Sequence, residues 1–263
     1  MRTITYGSHS DTGRVRSDNQ DSLGKFPEGT DALSVAKGQL FVVADGMGGH
    51  AGGRLASEFA VRALGTAYAG ASTSSIRESL LEAFRKANEE IYTHARQNPQ
   101  LAGMGTTCSA LVLQDHTATI AHIGDSRVYR ITKNRIQQIT DDHSKVAEMI
   151  RRNIITREEA RHHPERSHLY RALGIRPSVE VDVIEGIGVR PPVTFLLCTD
   201  GLYNHVDDDE MRRIVATLPP AEAVQELVSL ANDRGGLDNI SVHVVRIEAG
   251  EGRLRRLFGR KKK

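Results

Sequence analysis

The sequence predicts an α+β fold in which antiparallel sheets are packed by separate helices. Strand-like stretches come in neighbouring groups, and helix-like stretches come in pairs between them, unlike the strict alternation of parallel α/β proteins. Hydrophobic residues make up 39% and charged residues 26% of the 263 residues, which is typical of a globular domain. Because aromatic residues are only 5% and Trp is absent, aliphatic side chains must fill the core.

Residues 39–44 form an apolar run that ends at Asp-Gly, which indicates a buried strand followed by a turn. Residues 55–68 and 76–96 carry apolar side chains at helical spacing. Further strands are predicted at residues 106–113, 117–122, 127–132, 135–140, 180–184, 193–198 and 239–247, and further helices at 208–216 and 221–234. Residues 141–176 are rich in Arg and His with little apolar periodicity, so we expect an exposed flap with helical turns.

The charge is unevenly distributed along the chain. The formal net charge is +2, but the last eleven residues hold seven basic side chains and no acid. Without these seven, 28 basic residues face 33 acidic ones, a net of −5, so we expect no nucleic-acid binding. We therefore divide the chain into a domain over residues 1–247 and a basic tail over 248–263. The tail is either a disordered solubilising end or a tether to acidic partners or an anionic membrane surface.

Several features bear on the cellular compartment. No apolar run approaches the about 20 residues that span a bilayer, and the first residues lack the apolar segment of a secretory signal. We therefore expect a cytoplasmic protein. Cys108 and Cys198 lie in apolar, strand-like runs without metal-type spacing, which indicates buried free thiols.

Aspartates stand where apolar strands begin or end. Asp45, Asp125 and Asp200 each follow a predicted strand, and Asp238 precedes one. Taken singly, each is more often a turn residue. Together with Asp21 they would suit Mg²⁺ or Mn²⁺, because these cations prefer oxygen ligands and because carboxylates against a core are costly unless paired or metal-bound. Spacing alone does not bring them together.

A set of motifs in fixed order runs along most of the chain. They are R-S-D-N-Q-D at 16–21, V-A-D-G-M-G-G-H at 43–50, G-T-T at 105–107, H-I-G-D-S-R at 122–127, D-D-H-S at 141–144, R-A-L-G at 171–174, L-C-T-D-G-L at 197–202 and D-N-I-S-V at 238–242. In this order they resemble the metal-dependent Ser/Thr protein phosphatases of type 2C, in their compact bacterial form. The resemblance implies a four-layer α-β-β-α sandwich of two antiparallel sheets flanked by helices.

The resemblance also implies an activity and a set of roles. A hydroxide that bridges two ions of Mn²⁺ or Mg²⁺ would hydrolyse phosphoserine or phosphothreonine in proteins, opposing a Ser/Thr kinase that is itself a candidate partner. The implied metal residues are Asp45, which would bridge two ions, and Gly46, which would bind one of them through its carbonyl. Asp200 and Asp238 would complete the first metal site, Asp125 with Asp200 would hold a weaker third ion, and Asp21 would act through bound waters. Arg16 would bind the substrate phosphate, and we expect the protein to be a monomer.

Two positions depart from the pattern of some animal members. Those members carry Glu where this chain has Gln20, and His where it has Met47. His50 is near in sequence, and its role in catalysis stays open. Cysteine-based phosphatases need Arg six residues after the cysteine, and here that position is Asn204 or Gln114, so that route is excluded. A catalytically inactive binding module and a two-metal phosphodiesterase remain as alternatives.

Overall fold

The structure is a computed structural model that describes residues 2–27, 38–48, 52–70, 75–161 and 163–250. In chain order the strands are β1 (Arg2–Asp11), β2 (Asp21–Phe26), β3 (Gln39–Met47), β4 (Gly105–Thr106), β5 (Cys108–Gln114), β6 (Thr117–Ile123), β7 (Arg127–Thr132), β8 (Arg135–Gln138), β9 (Asp182–Gly188), β10 (Val193–Cys198) and β11 (Ile240–Ala249). The helices are α1 (Gly52–Gly70), α2 (Ile76–Gln97), α3 (Lys145–Arg151), α4 (Arg157–Arg161), α5 (Asp200–Tyr203), α6 (Asp208–Thr217) and α7 (Pro220–Asp233), with a 3₁₀ turn at Pro99–Leu101.

The strands form two antiparallel sheets. The first has the order β1-β11-β10-β7-β8, and the second has the order β2-β3-β5-β6-β9, with β4 added beside β3. In the first sheet, β1 and β11 pair along ten residues, from Arg2 opposite Ala249 to Asp11 opposite Ile240. In the second, Asp21 on β2 lies directly opposite Asp45 on β3.

Three apolar clusters hold four layers together. One lies between the second sheet and helices α1 and α2, and includes Leu64 and Phe84. A second lies between the two sheets, and includes Phe41 and Phe195. The third lies between the first sheet and helices α6 and α7, and includes Leu227. The predicted α-β-β-α sandwich is therefore confirmed.

Local sequence signals explain where helices begin. The hydroxyl of Ser75 accepts a hydrogen bond from the backbone N–H of Glu78 (3.3 Å), which caps α2. Pro220 stands at the start of α7, where the missing N–H costs nothing. Among the described residues, no helix has the length and hydrophobicity needed to span a bilayer.

Several sequence expectations need correction, among them the turn predicted at Asp45-Gly46, which instead lies inside β3. Strands β1 and β2 were not predicted, because β1 holds few apolar residues, and in the structure half of its ten residues are exposed. The strand expected at residues 180–184 lies at Asp182–Gly188. The segment 141–176 is not simply an exposed flap, since Asp142, His143 and Leu173 are buried where it leaves and rejoins the core.

The two thiols agree with the prediction. Cys108 and Cys198 are free and buried on β5 and β10, and burial raises the pKa of both thiols. His50 and residues 251–263 of the basic tail lie outside the described residues.

Candidate active site

A cavity of about 370 Å³ opens at the end of the sandwich where the aspartate-bearing strands and loops meet. We call it the aspartate cleft. Its lining residues are Arg16, Ser17, Asp18, Gln20, Asp45, Gly46, Met47, Gly48, Thr107, Asp125, Ser167, Leu169, Asp200, Asp238 and Asn239. The structure therefore brings together six of the seven predicted site residues. The seventh, Asp21, lies behind the wall, opposite Asp45 in the sheet.

The backbone around Asp45 is held firmly by its neighbours. Its N–H donates to Thr107 Oγ1 (3.0 Å), and its carbonyl accepts from the N–H of Thr107 (2.9 Å) and the hydroxyl of Thr106 (2.8 Å). The threonines of the G-T-T motif thus satisfy the main chain of Asp45 and leave its carboxylate facing the cleft. The spacing of the G-T-T motif alone did not indicate this role for the threonines.

Gly46 lies where two backbone segments approach each other. A Cβ at this position would meet the carbonyl oxygen of Gly53 at 2.0 Å and that of Gln20 at 2.6 Å. No side chain fits there, so only the main chain of residue 46 can serve the cleft.

The other aspartates come from the second sheet's rim and from the first sheet. Asp125 follows Gly124, whose φ of +104° turns the chain sharply after β6. Asp200 begins α5 directly after β10, and its Oδ2 accepts from Asn204 Nδ2 (3.2 Å). Asp238 stands before β11, and its Oδ1 accepts from the N–H of Asn239 (2.9 Å).

The carboxylates of the cleft raise one another's pKa. The pKa of Asp45 lies well above its usual range because of burial and the charges of Asp21, Asp200 and Asp125. Burial and the neighbouring Asp200 likewise raise the pKa of Asp125. For Asp200, burial and Asp238 raise the pKa to about 6, although Arg127 and Arg16 act in the opposite direction. Such mutual repulsion favours protons or cations in the cleft.

Asp21 is the most buried of these carboxylates. It is 8% exposed, and its Oδ2 accepts from Thr199 Oγ1 (2.9 Å). Its Oδ1 is buried without a hydrogen-bond partner among the described residues. Burial chiefly raises the pKa of Asp21, to about 7. A buried, unpartnered carboxylate oxygen beside other carboxylates fits a hydrated cation nearby.

The donor set fits hard cations held partly by water. Within the described part of the chain, no three side chains of His, Cys, Asp or Glu form a ready-made ligand group for one ion. Mg²⁺ commonly keeps several waters and takes only one or two carboxylates, so the spread of Asp45, Asp200 and Asp238 around an open cleft suits it. Excess negative charge and a side-chain-free Gly46 complete that fit.

Arg16 meets this negative charge at the mouth of the cleft. Its Nη2 donates to Asp238 Oδ2 at 2.7 Å, and about half of its side chain is exposed. The hydrogen bond to Asp238 raises the pKa of Arg16. Arg16 therefore lines the cleft, and its pairing with Asp238, a predicted metal ligand, is a contact that sequence spacing could not reveal.

Asn239 lines the cleft but was not predicted from the sequence. Its Oδ1 accepts from the N–H of Gln20 (2.8 Å), and its Nδ2 donates to the carbonyls of Thr12 and Asp18 (both 2.9 Å). It thus joins the loop that carries Arg16 to the loop that carries Asp238. Its place directly after Asp238 in the D-N-I-S-V motif was the available signal.

The flap also reaches the cleft. Ser167 and Leu169 line it, and Leu169 forms an isolated bridge with Ser144 at the flap's beginning. Met47 lines the cleft where some animal relatives of the motif carry His, so no imidazole is present at that position.

Comparisons with known proteins agree with this geometry. The family model described as Protein phosphatase 2C matches residues 8–235. The chain is 39% identical over 241 residues to "Serine/threonine phosphatase stp" of Listeria innocua, covering 90% of this chain and 93% of that protein. The crystal structure of the Mycobacterium tuberculosis serine/threonine phosphatase PstP/Ppp superposes with a TM-score of 0.81 and 34% identity, covering 94% of this chain and 99% of that one.

A second solved structure bears on metals. It is the catalytic domain of the phosphatase PstP in complex with two manganese ions, with a TM-score of 0.82, 32% identity and coverage of 95% of this chain and 100% of that one. Sequence, fold and the arrangement of the cleft thus agree, and the chain belongs to the protein phosphatase 2C family of serine/threonine phosphatases.

Proposed function

We propose that the aspartate cleft hydrolyses phosphoserine and phosphothreonine in proteins with the help of divalent cations, Mn²⁺ or Mg²⁺. The observation that carries this proposal is the gathering of Asp45, Asp125, Asp200 and Asp238 around one open cavity. Burial and neighbouring carboxylates raise the pKa of Asp45, Asp125 and Asp200, and the guanidiniums of Arg16 and Arg127 offset only part of this rise for Asp200, so the cleft favours added cations.

Asp45, Asp200, Asp238 and the carbonyl of Gly46 would hold two ions, as many as were found in the related PstP domain. Asp125 with Asp200 would hold a weaker third ion, and Asp21 would act through waters. When bound, such cations offset the charge of a phosphoryl group and lower the pKa of a water toward neutrality. A phosphomonoester carries about −1.5 to −2 charges, so an all-carboxylate cleft would otherwise repel it.

Arg16 has the role of binding the phosphate. Its guanidinium can form two parallel hydrogen bonds to phosphoryl oxygens, which orients the substrate as well as attracting it. Because Arg16 now donates to Asp238, a cation on Asp238 would compete with this ion pair and free the guanidinium for substrate. Asn239 joins the loop that carries Arg16 to the loop that carries Asp238.

The wider cellular setting is also a proposal. Residues 1–247 would act as the catalytic unit in the cytoplasm, as a monomer that opposes a Ser/Thr kinase in signalling. The basic tail from residue 248 would be dispensable for hydrolysis. A catalytically inactive binding module is disfavoured because all the aspartates that the family resemblance implies as metal residues are present.

The test compares three substrates on protein stripped of metal and on the same protein given Mn²⁺. A phosphothreonine peptide and p-nitrophenyl phosphate should be hydrolysed only with metal, and bis(p-nitrophenyl) phosphate much more slowly. Hydrolysis by protein shown to be metal-free by elemental analysis would contradict the metal mechanism. Preference for the bis ester would favour a phosphodiesterase, and inactivity on all three would favour the binding module.

A further inference from the structure

Two exposed apolar side chains stand beside the mouth of the aspartate cleft. Val15 is 64% exposed and Leu237 is 57% exposed. Each directly precedes a charged residue of the cleft, Arg16 in one case and Asp238 in the other. We call Val15 and Leu237 the rim pair.

The loops that carry the rim pair are joined on both sides of it. The N–H of Arg14 donates to the carbonyl of Gly236 (2.8 Å), and Arg16 Nη2 donates to Asp238 Oδ2 (2.7 Å). Residues 14 and 236 are thus in contact, and so are residues 16 and 238. Val15 and Leu237 stand between these contacts on two joined loops, and both side chains are exposed.

These loops have little freedom to move apart. Asn239 Nδ2 bonds to the carbonyls of Thr12 and Asp18, and a Cβ on Gly13 would meet the carbonyl oxygen of Asp238 at 2.3 Å. The rim pair is therefore presented on packed backbone, so an apolar ligand would find both side chains already in place.

A single exposed apolar residue needs no explanation, but two on adjoining loops that both lead into an active site do. The cleft itself is lined mainly by charged and polar groups and can recognise little besides the phosphate. An extended peptide advances about 3.3–3.6 Å per residue, so the first to third residues beside a phosphate held at Arg16 would pass the rim pair.

We propose that the rim pair contacts an apolar side chain within three residues of the phosphorylated Ser or Thr. The enzyme would then favour phosphoproteins that carry such a side chain, and Val15 and Leu237 would determine specificity. This inference rests on the proposed function, since it concerns how the same cleft selects its protein substrate.

The experiment uses two phosphothreonine peptides that differ only in the three positions on either side of the phosphoresidue, which are all Leu in one and all Gln in the other. The full chain with Mn²⁺ is compared with the double variant Val15→Ser/Leu237→Ser. The control is Ile154→Ser, because Ile154 is 61% exposed but is not next in sequence to any residue that lines the cleft. The readout is the ratio of kcat/KM for the two peptides, which does not depend on the fraction of folded enzyme.

The wild type should favour the Leu peptide by about five- to tenfold, mainly through KM, because the contact is present in both ground and transition states. The double variant should bring the ratio close to one, and Ile154→Ser should keep the wild-type ratio. A wild type without preference, a ratio unchanged in the double variant, or an equal loss in Ile154→Ser would each overturn the proposal. Wild type that hydrolyses p-nitrophenyl phosphate but neither peptide would overturn the proposed function, and this inference with it.

Discussion

Two groups of aspartates in this phosphatase lie close together but differ in whether a basic side chain pairs with them. At the base of the flap, Asp142 forms hydrogen bonds with Arg127 at 2.7–3.1 Å. Asp182 accepts from Arg171 (2.7 Å) and is paired with His143 (3.1 Å). By contrast, Asp45 and Asp125 in the cleft and Asp21 behind its wall have no comparable basic partner among the described residues.

The paired aspartates therefore stabilise the fold, whereas the unpaired ones serve the chemistry of the cleft. A paired carboxylate holds segments together: Arg127 joins the flap's base at Asp142 to the ring of Tyr203 in α5, 3.5 Å below its guanidinium. An unpaired, buried carboxylate raises the free energy of the folded state until a cation arrives. The aspartates that lack a basic partner therefore lower the stability of the metal-free fold, and they lie at the site where the protein carries out its function.

The largest expected effect comes from Asp45→Asn. Activity on a phosphothreonine peptide should fall by orders of magnitude, because an amide oxygen carries no net charge with which to bind two cations. Mn²⁺ at a hundredfold excess over its Kd should stabilise the wild type by about 2.7 kcal/mol and the variant by much less. Thermal melts with chelator and with Mn²⁺, beside the peptide assay, measure both effects.

Asp142→Asn is the matched control for that experiment, and it should keep the stabilisation by Mn²⁺. An Asp45→Asn enzyme that stays active, or that gains as much melting temperature from Mn²⁺ as wild type, would show that Asp45 is only a turn residue. Unfolding of the variant even in chelator would indicate a structural role instead.

Removing a paired aspartate should lower the free energy of unfolding. Asp142→Asn leaves the guanidinium of Arg127 mostly buried without its counterion, which should cost about 3 kcal/mol of unfolding free energy. Urea denaturation in the presence of chelator measures this cost. The comparison variant is Glu82→Gln, which removes an exposed ion pair with Arg85 and should change stability little. Equal effects of the two substitutions would mean that burial of the Arg127–Asp142 pair contributes nothing.

The smallest effect is a pH dependence of the metal-free protein. Asp200 and Asp21 have pKa values raised to about 6 and about 7, so the folded state binds protons that the unfolded state releases. Stability from these groups is present at low pH and is lost as the pH rises from about 4 to about 7. Asp45→Asn lowers the repulsion, so in chelator the variant should gain about 1 kcal/mol over wild type across that range.

The difference between the two proteins is the quantity to measure, because histidines act in the opposite sense. Burial lowers the pKa of His122 and His243 to about 4, so they reduce stability as the pH falls from about 6.5 toward 4. Both histidines are present in wild type and variant, and their contribution cancels. A difference that shrinks with rising pH would contradict the assignment of unpaired carboxylates.

The sequence allowed much of this comparison to be predicted. Asp45, Asp125 and Asp200 each follow an apolar run, which indicated where buried strands meet polar groups, although β3 continues past Asp45 to Met47. The ordered motifs supplied the family and therefore the sandwich. Pairing between distant segments could not be predicted, such as that of Arg16 with Asp238, which are 222 residues apart. No local pattern encodes such a contact.

The flap's base shows the same limit in another form. Its polar composition suggested full exposure, yet His143 is buried, donates its N–H to the carbonyl of Gly124 (2.7 Å) and accepts at its own carbonyl from Tyr170 (3.0 Å). Polar residues enter a core when their hydrogen bonds are satisfied there. Hydrophobic periodicity does not detect this kind of burial. Strand β1 was not predicted for the converse reason, because a strand at the edge of a sheet needs few apolar residues.

The pairing of β1 with β11 places the two ends of the described chain next to each other and far from the substrate. Arg2 lies opposite Ala249, whereas Asp11 and Ile240, at the other end of the ladder, lead into the loops of the cleft. Ten residues of strand extend about 30 Å. A fluorophore, an affinity handle or a surface anchor joined after residue 250 would therefore begin about 30 Å from the reacting phosphate. The same adjacency makes a circularly permuted enzyme feasible, with a short linker joining the old ends and new ends opened elsewhere.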